Sequence, residues 1–227
     1  MVSTVIFDLD GLLADTERLH RQAYQEVLGR HGVTLTDAEY DEHWILRGRG
    51  IGDLIAGRGL DLEPDVLRAE KARRYNDLVA AQAQPMPGAL ELLRRLRGRK
   101  RLALATSSYR DAAEAVLAAL VIADFFELVG TGNDVARVKP DPALFLFVAA
   151  RMGVAPADCV VLEDSGKGIV AARAAGMRCI AVPNEHTRDH DFSQADQVVA
   201  SLGCVTLSLL DALGGFVGPC IRRPSLL

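Results

Sequence analysis

The positions of the apolar residues divide the chain into short buried runs and longer amphipathic stretches. Each apolar run ends abruptly at polar residues or at a proline, as buried β-strands do. These runs are Thr4–Phe7, Arg101–Ala105, Cys159–Leu162 and Cys179–Val182. The helical stretches between them are Ala89–Arg97, Ala112–Leu120, Pro142–Met152 and Ile169–Ala175. Strands that alternate with helices pair in parallel, so the pattern predicts an α/β fold with a Rossmann-like parallel sheet core flanked by helices.

One long segment interrupts this alternation. Residues 15–87 contain helical patterns at Thr16–Arg30, Asp37–Leu46 and Pro64–Ala83, but no convincing buried strand. We expect Asp15 to cap the first of these helices and Pro85–Gly88 to form a stiff exit linker. The sequence therefore predicts two parts, an α/β core of residues 1–14 and 88–227 and a small all-α domain of residues 15–87 inserted into it.

Composition and charge narrow the choice of partners. The 227 residues include 26 basic and 30 acidic side chains, for a net charge of -4. Nucleic acid and anionic membrane both attract a clustered basic excess, so neither is expected as a partner. No apolar stretch approaches the ~20 residues that cross a bilayer, and no signal peptide is apparent. The four cysteines are widely separated, unlike those of zinc or redox sites, and we expect them to be buried thiols. We expect a cytoplasmic protein and, by default, a monomer.

Polar side chains follow three of the predicted strands at the point where each strand ends. Asp8 and Asp10 follow the first, Thr106–Ser108 the second, and Glu163 and Asp164 the third. In an open parallel sheet these positions meet at one edge, where ligands bind. Carboxylates gathered there would repel one another unless a cation lay among them. Ligation by oxygen alone, without histidine or cysteine, favours Mg²⁺ over zinc.

These polar motifs resemble those of one known family. Phe7–Glu17, with the sequence FDLDGLLADTE, is similar to the signature of haloacid dehalogenase superfamily phosphatases. Thr106–Ser108 resembles the hydroxyl motif of that family, Lys139–Pro142 its lysine motif and Glu163–Gly168 its acidic motif. The four motifs occur in the family's order, which makes coincidence a poor explanation. The inserted helical segment lies where subfamilies resembling β-phosphoglucomutase carry a helical cap domain.

The resemblance implies a magnesium-dependent phosphatase that acts through an aspartyl-phosphate intermediate. Asp8 would be the nucleophile and Asp10 the general acid and base. Magnesium would be held by the Asp8 carboxylate, the Asp10 backbone carbonyl and the Asp164 carboxylate, with Glu163 in support. A small phosphorylated metabolite, such as a sugar, polyol or nucleoside phosphate, is the expected substrate.

Three further residues complete the implied phosphate site. The Thr106 hydroxyl and the Ser107 backbone N–H would hold phosphate oxygens, while Lys139 would supply positive charge to the nucleophile and the phosphoryl group. Ser108 is expected to cap the helix that follows. Lys167 is expected to be exposed, because the glycines around it lack the spacing of a phosphate-binding loop.

The helical cap offers weaker candidates for substrate contact. His20 lies one helical turn beyond Thr16, from which it could face the mouth of the site. A second stretch combines an aromatic side chain, a glycine and two arginines that suit an anionic substrate. Its members are Trp44, Arg47, Gly48 and Arg49. Trp44 could equally belong to the apolar core of the cap.

Four alternative functions can be weighed against single residues. Haloalkanoate dehalogenation is disfavoured because such enzymes usually lack an acid at the position of Asp10. Phosphonate hydrolysis needs a cap lysine, and Lys71, the only one, lies on what reads as a charged helical face. A sugar phosphomutase like β-phosphoglucomutase is disfavoured because Ile51 stands where such mutases hold a second phosphate with arginine, although Arg49 could compensate. A non-catalytic binding protein would usually have lost a motif residue, and all are present here.

Overall fold

A parallel β-sheet forms the centre of the protein, whose computed structural model describes residues 2–214. Its strands lie in the order β3-β2-β1-β4-β5-β6, and every neighbouring pair is parallel. Their bounds are β1 Thr4–Phe7, β2 Arg101–Ala105, β3 Leu128–Gly130, β4 Cys159–Glu163, β5 Arg178–Ala181 and β6 Gln197–Val198. The predicted α/β fold is confirmed, and β1 and β2 have the predicted bounds. The short strands β3 and β6 were not predicted.

Helices surround this sheet and fill the inserted segment. They are α1 Glu17–Arg30, α2 Asp37–Tyr40, α3 Ile51–Arg58, α4 Pro64–Gln82, α5 Ala89–Leu96, α6 Arg110–Leu120, α7 Ala143–Met152, α8 Gly166–Ala174 and α9 Leu207–Gly214. A π-helical turn, Asp41–Leu46, continues α2. None of the helices within residues 2–214 combines the length and apolar character needed to span a membrane. The tail after Gly214, in which no motif is recognised, lies outside the described residues.

Alternate residues of the central strand face two different apolar layers. Val5 and Phe7 pack into one cluster with residues of α5 and α6, whereas Ile6 packs into a second cluster with residues of α7 and α8. Successive side chains of a strand point to opposite faces, so a strand covered on both sides must be apolar throughout. Each such buried side chain contributes about 1.5–3 kcal/mol, and the whole arrangement fixes where the strand ends lie.

The inserted helical segment is joined to the sheet layer by two adjacent crossings of the chain. The N–H of Asp15 donates to the Gln84 carbonyl at 2.9 Å, and the N–H of Met86 donates to the Leu13 carbonyl at 2.9 Å. Much of the segment packs on a small apolar cluster of its own, but Tyr75 of α4 is buried in the main core cluster. The division into domains at residues 14/15 and 87/88 stays a prediction.

Two local predictions need correction. Asp15 is not the N-cap of α1; that position is Thr16, while Asp15 pairs with Arg18 at 3.0 Å. The thiols are not uniformly buried, since Cys159 and Cys179 are buried but Cys204 is exposed. Cys220 lies outside the described residues.

Candidate active site

Three carboxylates from the ends of β1 and β4 meet in one buried cluster. One oxygen atom from each of Asp8, Glu163 and Asp164 lies within 4.8 Å of the others. The register explains this proximity, because Phe7 pairs with Leu162, and Asp8 and Glu163 are the residues that follow this pair. The sheet therefore brings together the acidic residues that the sequence placed at its carboxyl edge.

Lys139 reaches into this cluster and neutralises part of its charge. Its Nζ atom donates to Asp8 Oδ1 at 2.5 Å, to Glu163 Oε1 at 2.6 Å and to the Ala105 carbonyl at 2.7 Å. Burial alone would lower the pKa of Lys139, but the carboxylates of Asp8 and Glu163 raise it above its usual value. All three ammonium protons are thus engaged, and the side chain stays charged.

One ammonium group is not enough for three carboxylates. Burial raises the pKa of Asp8 to about 7, against the opposing effect of Lys139 and with a further contribution from Glu163. Burial likewise raises the pKa of Asp164 well above its usual value, with Glu163 and Asp8 adding to the effect. The protein alone therefore holds more negative charge than it can stabilise, and a hard dication with oxygen ligands fits this donor set.

Glu163, the last residue of β4, is fixed by its neighbours. Glu163 Oε2 accepts hydrogen bonds from the Ser165 hydroxyl at 2.9 Å and the Ser165 N–H at 3.2 Å. Gly168 leaves room for this carboxyl group, because a Cβ atom there would overlap it. Lys167, which lies between Ser165 and Gly168 in the chain, is exposed as expected. Glu163 thus contributes to the cluster from a rigid position beneath α8.

Asn184 orients Asp164 and was not predicted. Its Nδ2 atom donates to Asp164 Oδ2 at 2.9 Å and to the Gly11 carbonyl at 3.0 Å. Its Oδ1 atom accepts from the N–H of His186 at 2.7 Å and of Thr187 at 3.1 Å. The only signal in the sequence is that Asn184 follows β5 at the same edge of the sheet.

Asp10 faces away from the carboxylate cluster and accepts several hydrogen bonds. Thr16 Oγ1 donates to its Oδ1 at 2.7 Å, while Ser108 Oγ and Thr106 Oγ1 donate to its Oδ2 at 2.7 and 3.1 Å. His20 Nε2 lies 3.6 Å from Oδ1. Burial would raise the pKa of Asp10, but His20 and the hydroxyl donors hold it well below its usual value. Asp10 is therefore an ionised base in this arrangement.

The turn after β2 presents hydroxyl and amide groups to the same edge. Ser108 is not the helix cap, because Tyr109 occupies that position and the Ser108 hydroxyl bonds Asp10 instead. The Ser107 Oγ atom is buried and has no hydrogen-bond partner among residues 2–214. A buried polar atom of this kind is costly unless something binds it, so it is suited to receive a ligand oxygen.

Comparison with known proteins places this site in a family. Residues 2–176 match the family described as haloacid dehalogenase-like hydrolase. The chain belongs to this family. It is 35% identical over 224 residues to protein CbbY of Rhodobacter capsulatus, covering 93% of this chain and 99% of that protein. It is also 37% identical over 184 residues to the fructose-1-phosphate phosphatase YqaB of Escherichia coli (strain K12), covering 78% and 95%.

A solved structure of this hydrolase family shares the fold closely. The crystal structure of CbbY from Rhodobacter sphaeroides in complex with phosphate superposes with a TM-score of 0.83 at 32% identity, covering 93% of this chain and 100% of that one. The family membership that the four motifs indicated is thereby confirmed.

The cap of the hydrolase brings a histidine and a lysine next to Asp10. The His20 ring stacks on Tyr75, with centroids 4.0 Å apart and planes at 11°. The Lys71 Nζ atom lies 2.5 Å from His20 Nδ1 and 4.5 Å from the centroid of the Tyr75 ring. Lys71 is therefore not on a solvated charged face, as the sequence suggested. Burial lowers its pKa to about 8, although Asp10 opposes this effect.

The other cap candidates lie in different surroundings. They are Trp44, Arg47, Gly48 and Arg49. Trp44 packs on Tyr24 and Tyr40, with ring centroids 4.6 and 5.0 Å apart, and so belongs to the apolar cluster of the cap. Arg47 pairs with Glu42 at 2.5 Å, Gly48 has a φ of 59°, and Arg49 is exposed. Within residues 2–214, none of the four forms a hydrogen bond or ion pair with the carboxylate cluster.

Proposed function

We propose that this hydrolase is a Mg²⁺-dependent phosphatase of a small phosphorylated metabolite and works through a phosphorylated Asp8. The observation that carries the proposal is the contact between Lys139 Nζ and Asp8 Oδ1 at 2.5 Å inside a buried acidic cluster. A cation held there orients the carboxylate and lowers its repulsion from a phosphate dianion. The name of the relative YqaB, a fructose-1-phosphate phosphatase, supports a sugar phosphate as one candidate substrate.

The donor set defines which residues would hold the metal. They are the carboxylates of Asp8 and Asp164 and the backbone carbonyl of Asp10, with Glu163 in support. These residues suit a hard dication because they gather an excess of buried negative charge and offer only oxygen donors. When bound, Mg²⁺ supplies the positive charge that screens the attacking carboxylate and the phosphoryl group from each other.

The side chains of this protein then divide the reaction into two displacements. An Asp8 oxygen attacks phosphorus as the ester P–O bond breaks, and the leaving alkoxide takes a proton from Asp10. Water next attacks the phosphorus of the acyl phosphate, Asp10 removes its proton, and the Asp8 carboxylate is released together with phosphate. We assign the Ser107 hydroxyl, which has no hydrogen-bond partner among residues 2–214, to hold a phosphate oxygen during both steps; the Thr106 hydroxyl would join it by giving up its hydrogen bond to Asp10 Oδ2.

Asp10 needs a proton before it can act as an acid. Its pKa is held low, so it is ionised when the site is empty. The row of contacts from Lys71 Nζ to His20 Nδ1 and from His20 Nε2 toward Asp10 Oδ1 offers a route by which that proton arrives. We assign His20 to this transfer: its Nε2–H passes a proton to Asp10 while Nδ1 takes one from the Lys71 ammonium, which becomes an amine and regains a proton from water.

The proposal is tested by phosphate release from p-nitrophenyl phosphate with Mg²⁺ and with EDTA. We expect turnover only with the metal, and none from Asp8→Asn, which keeps the shape of the side chain. Mass spectrometry of the acid-quenched enzyme should find one phosphoryl group on the peptide that contains Asp8. A panel of sugar, polyol and nucleoside phosphates, including fructose 1-phosphate, then identifies the substrate. Full turnover by Asp8→Asn would refute the mechanism.

A phosphomutase is the main rival, and the surroundings of Ile51 argue against it. Ile51 is only 2% exposed and packs in the apolar cluster of the cap, so a second phosphate has no cation at this position. Incubation with glucose 1-phosphate decides between the two activities, since a mutase yields glucose 6-phosphate and a phosphatase yields free phosphate. Turnover of any phosphate ester removes another alternative, a non-catalytic binding protein.

A further inference from the structure

The loop that follows β3 lies directly against the turn that follows β2. This loop, residues 131–134, is called the clamp loop here, and the turn it contacts comprises residues 106–110. The N–H of Gly132 donates to the Ser108 carbonyl at 2.9 Å, and the N–H of Arg110 donates to Asn133 Oδ1 at 2.8 Å. The proposed phosphate-binding residues therefore have a second support besides their own strand.

Asn133 supplies a helix cap from outside the helix. Helix α6 begins at Arg110, and the preceding Tyr109 makes no capping hydrogen bond with its side chain. The first N–H groups of a helix need an external acceptor, which is usually a polar side chain at the N-cap. Here the Asn133 carbonyl oxygen accepts from the first of them, so the start of α6 is fixed by a residue of another loop.

Asp134 makes the clamp loop rigid. Its Oδ2 atom accepts from Arg110 Nη2 at 2.7 Å and from both the N–H and the hydroxyl of Thr131 at 2.8 Å. Thr131 is completely buried. Burial would raise the pKa of Asp134, but the hydrogen bonds from Thr131 and the charge of Arg110 hold it below its usual value. The carboxylate thus ties the turn, the loop and the start of α6 into one unit.

Gly132 brings the two backbones closer than any other residue would allow. A Cβ atom at this position would lie 2.6 Å from the Ser107 carbonyl oxygen and 3.4 Å from the Ser108 carbonyl oxygen. The Ser107 peptide is therefore pressed against the clamp loop on its carbonyl side. A carbonyl held in this way also fixes the rest of the residue, including the hydroxyl that has no partner among residues 2–214.

We infer that Asn133 is a positioning residue for phosphate. It accepts from the first N–H of α6 and so holds in place the turn of residues 106–110, which contains Ser107. The inference rests on the proposed phosphatase function. Asn133 touches no reacting group itself, and its side chain is exposed at the surface. Its effect should therefore appear in how tightly phosphate groups bind and not in the chemistry of transfer. The same loop leads on to Lys139, so it links two of the proposed phosphate contacts.

The test compares two substitutions of the same residue with a control. Asn133→Ala removes the acceptor, whereas Asn133→Asp keeps an oxygen that can accept from Arg110. Glu114→Ala serves as the control, because among residues 2–214 Glu114 forms an ion pair only with the Arg110 side chain, with Nη1 and Oε1 3.8 Å apart, and faces solvent. For Asn133→Ala we expect KM for p-nitrophenyl phosphate and Ki for inorganic phosphate to rise at least about tenfold, with kcat within about threefold. Asn133→Asp and Glu114→Ala should resemble the wild type.

Two results would overturn the inference. One is unchanged KM and Ki in Asn133→Ala; the other is equal impairment by Asn133→Asp, which would show that the acceptor is not what matters. Binding of inorganic phosphate, followed by ³¹P NMR line broadening, separates this inference from the proposed function. If the wild type binds phosphate more tightly than Asn133→Ala but hydrolyses no ester, the inference stands and the phosphatase assignment fails. If the wild type does not bind phosphate at all, the inference fails.

Discussion

Lys71 Nζ and His20 Nδ1 lie 2.5 Å apart, and His20 Nε2 faces Asp10, three residues beyond the end of β1. The two residues come from α4 and α1, two helices of the inserted segment. A charged Lys71 donates to Nδ1 and leaves the proton of a neutral imidazole on Nε2, the atom that faces Asp10. The inserted helices and Asp10 are therefore linked through one side chain, His20.

Lys71→Met should slow catalysis without removing the phosphate site. Methionine keeps the length and apolar contacts of lysine but donates nothing to His20. We expect kcat to fall about 10- to 100-fold, which is less than the roughly 10²- to 10⁴-fold contributed by a direct general acid, because Lys71 acts only through His20. Inorganic phosphate should inhibit the variant as strongly as the wild type. Steady-state kinetics with p-nitrophenyl phosphate measures both effects, and an unchanged kcat would exclude the proposed route.

The same substitution should stabilise the fold at neutral pH. The pKa of Lys71 falls from its ordinary 10.5 to about 8 in the folded protein, so the unfolded chain binds more protons between these values. The free energy of unfolding therefore rises with pH across this window, and the cost of burying the charge is fully present below pH 8. Lys71→Met removes a cost on the order of 1–3 kcal/mol at pH 7. Urea unfolding should show this gain at pH 7 and little of it above pH 10.5.

Ser108→Ala should shift the alkaline limb of the pH profile. The Ser108 hydroxyl donates to Asp10 Oδ2 at 2.7 Å and so favours the ionised carboxylate. Without it the pKa of Asp10 should rise by about half a unit to one unit. Because Asp10 must carry a proton to protonate the leaving group, the alkaline limb of kcat/KM should move to higher pH by the same amount. Ser3→Ala, an exposed position preceding β1, is the control. An alkaline limb that does not move would mean that Asp10 is not the group observed.

The strongest signals in the sequence concerned elements that are buried on both sides. Strands β1 and β2 were predicted with their observed bounds because an uninterrupted apolar run leaves little choice. Strands β3 and β6 were missed because Leu128–Gly130 and Gln197–Val198 are too short to show a pattern, and residues of β6 are exposed.

Residues whose partners come from distant parts of the sequence were harder to predict. Lys71 lies among charged residues of α4, where helical periodicity alone cannot distinguish the solvent from a neighbouring active site. Ser108 and Asn184 were missed as partners of Asp10 and Asp164 because their roles depend on contacts between distant strand ends. Motifs indicate which groups take part, and only the packing shows which atoms meet.

Gly168→Ala should damage the acidic cluster. A Cβ atom on this helical residue would overlap the carboxyl group of Glu163, which is held by Lys139 on its other side. Displacing a buried charged pair should destabilise the protein by about 2–4 kcal/mol and lower kcat/KM at least about 100-fold. Gly57→Ala is the matched control in α3, since a Cβ atom there meets nothing within 4 Å. We expect that variant to be active and more stable by about 0.5–1 kcal/mol.

Val121→Gly should stabilise the protein. Val121 ends α6 in the left-handed region with a φ of 54°, is 83% exposed and is β-branched, so its backbone is strained with little burial in return. Glycine avoids this strain, and we expect a gain of about 0.5–1 kcal/mol after the larger entropy of its unfolded chain is counted. Gly153 ends α7 with a φ of 67° and open space around it, so Gly153→Val should cost about as much. Equal stability of all three proteins in urea would contradict the argument.

Asn184→Ala should weaken binding of the metal without touching a proposed ligand. Asn184 Nδ2 donates to Asp164 Oδ2 at 2.9 Å, and loss of such an outer partner costs about 10- to 100-fold in metal affinity. Asn184→Asp separates this effect from disturbance of the loop, because a carboxylate can still accept from the N–H groups of His186 and Thr187 but cannot donate to Asp164. Isothermal titration with Mg²⁺ alone should show weakened binding for both variants. Normal affinity in Asn184→Asp would mean that the amide donor does not orient Asp164, and that the loop alone places this carboxylate.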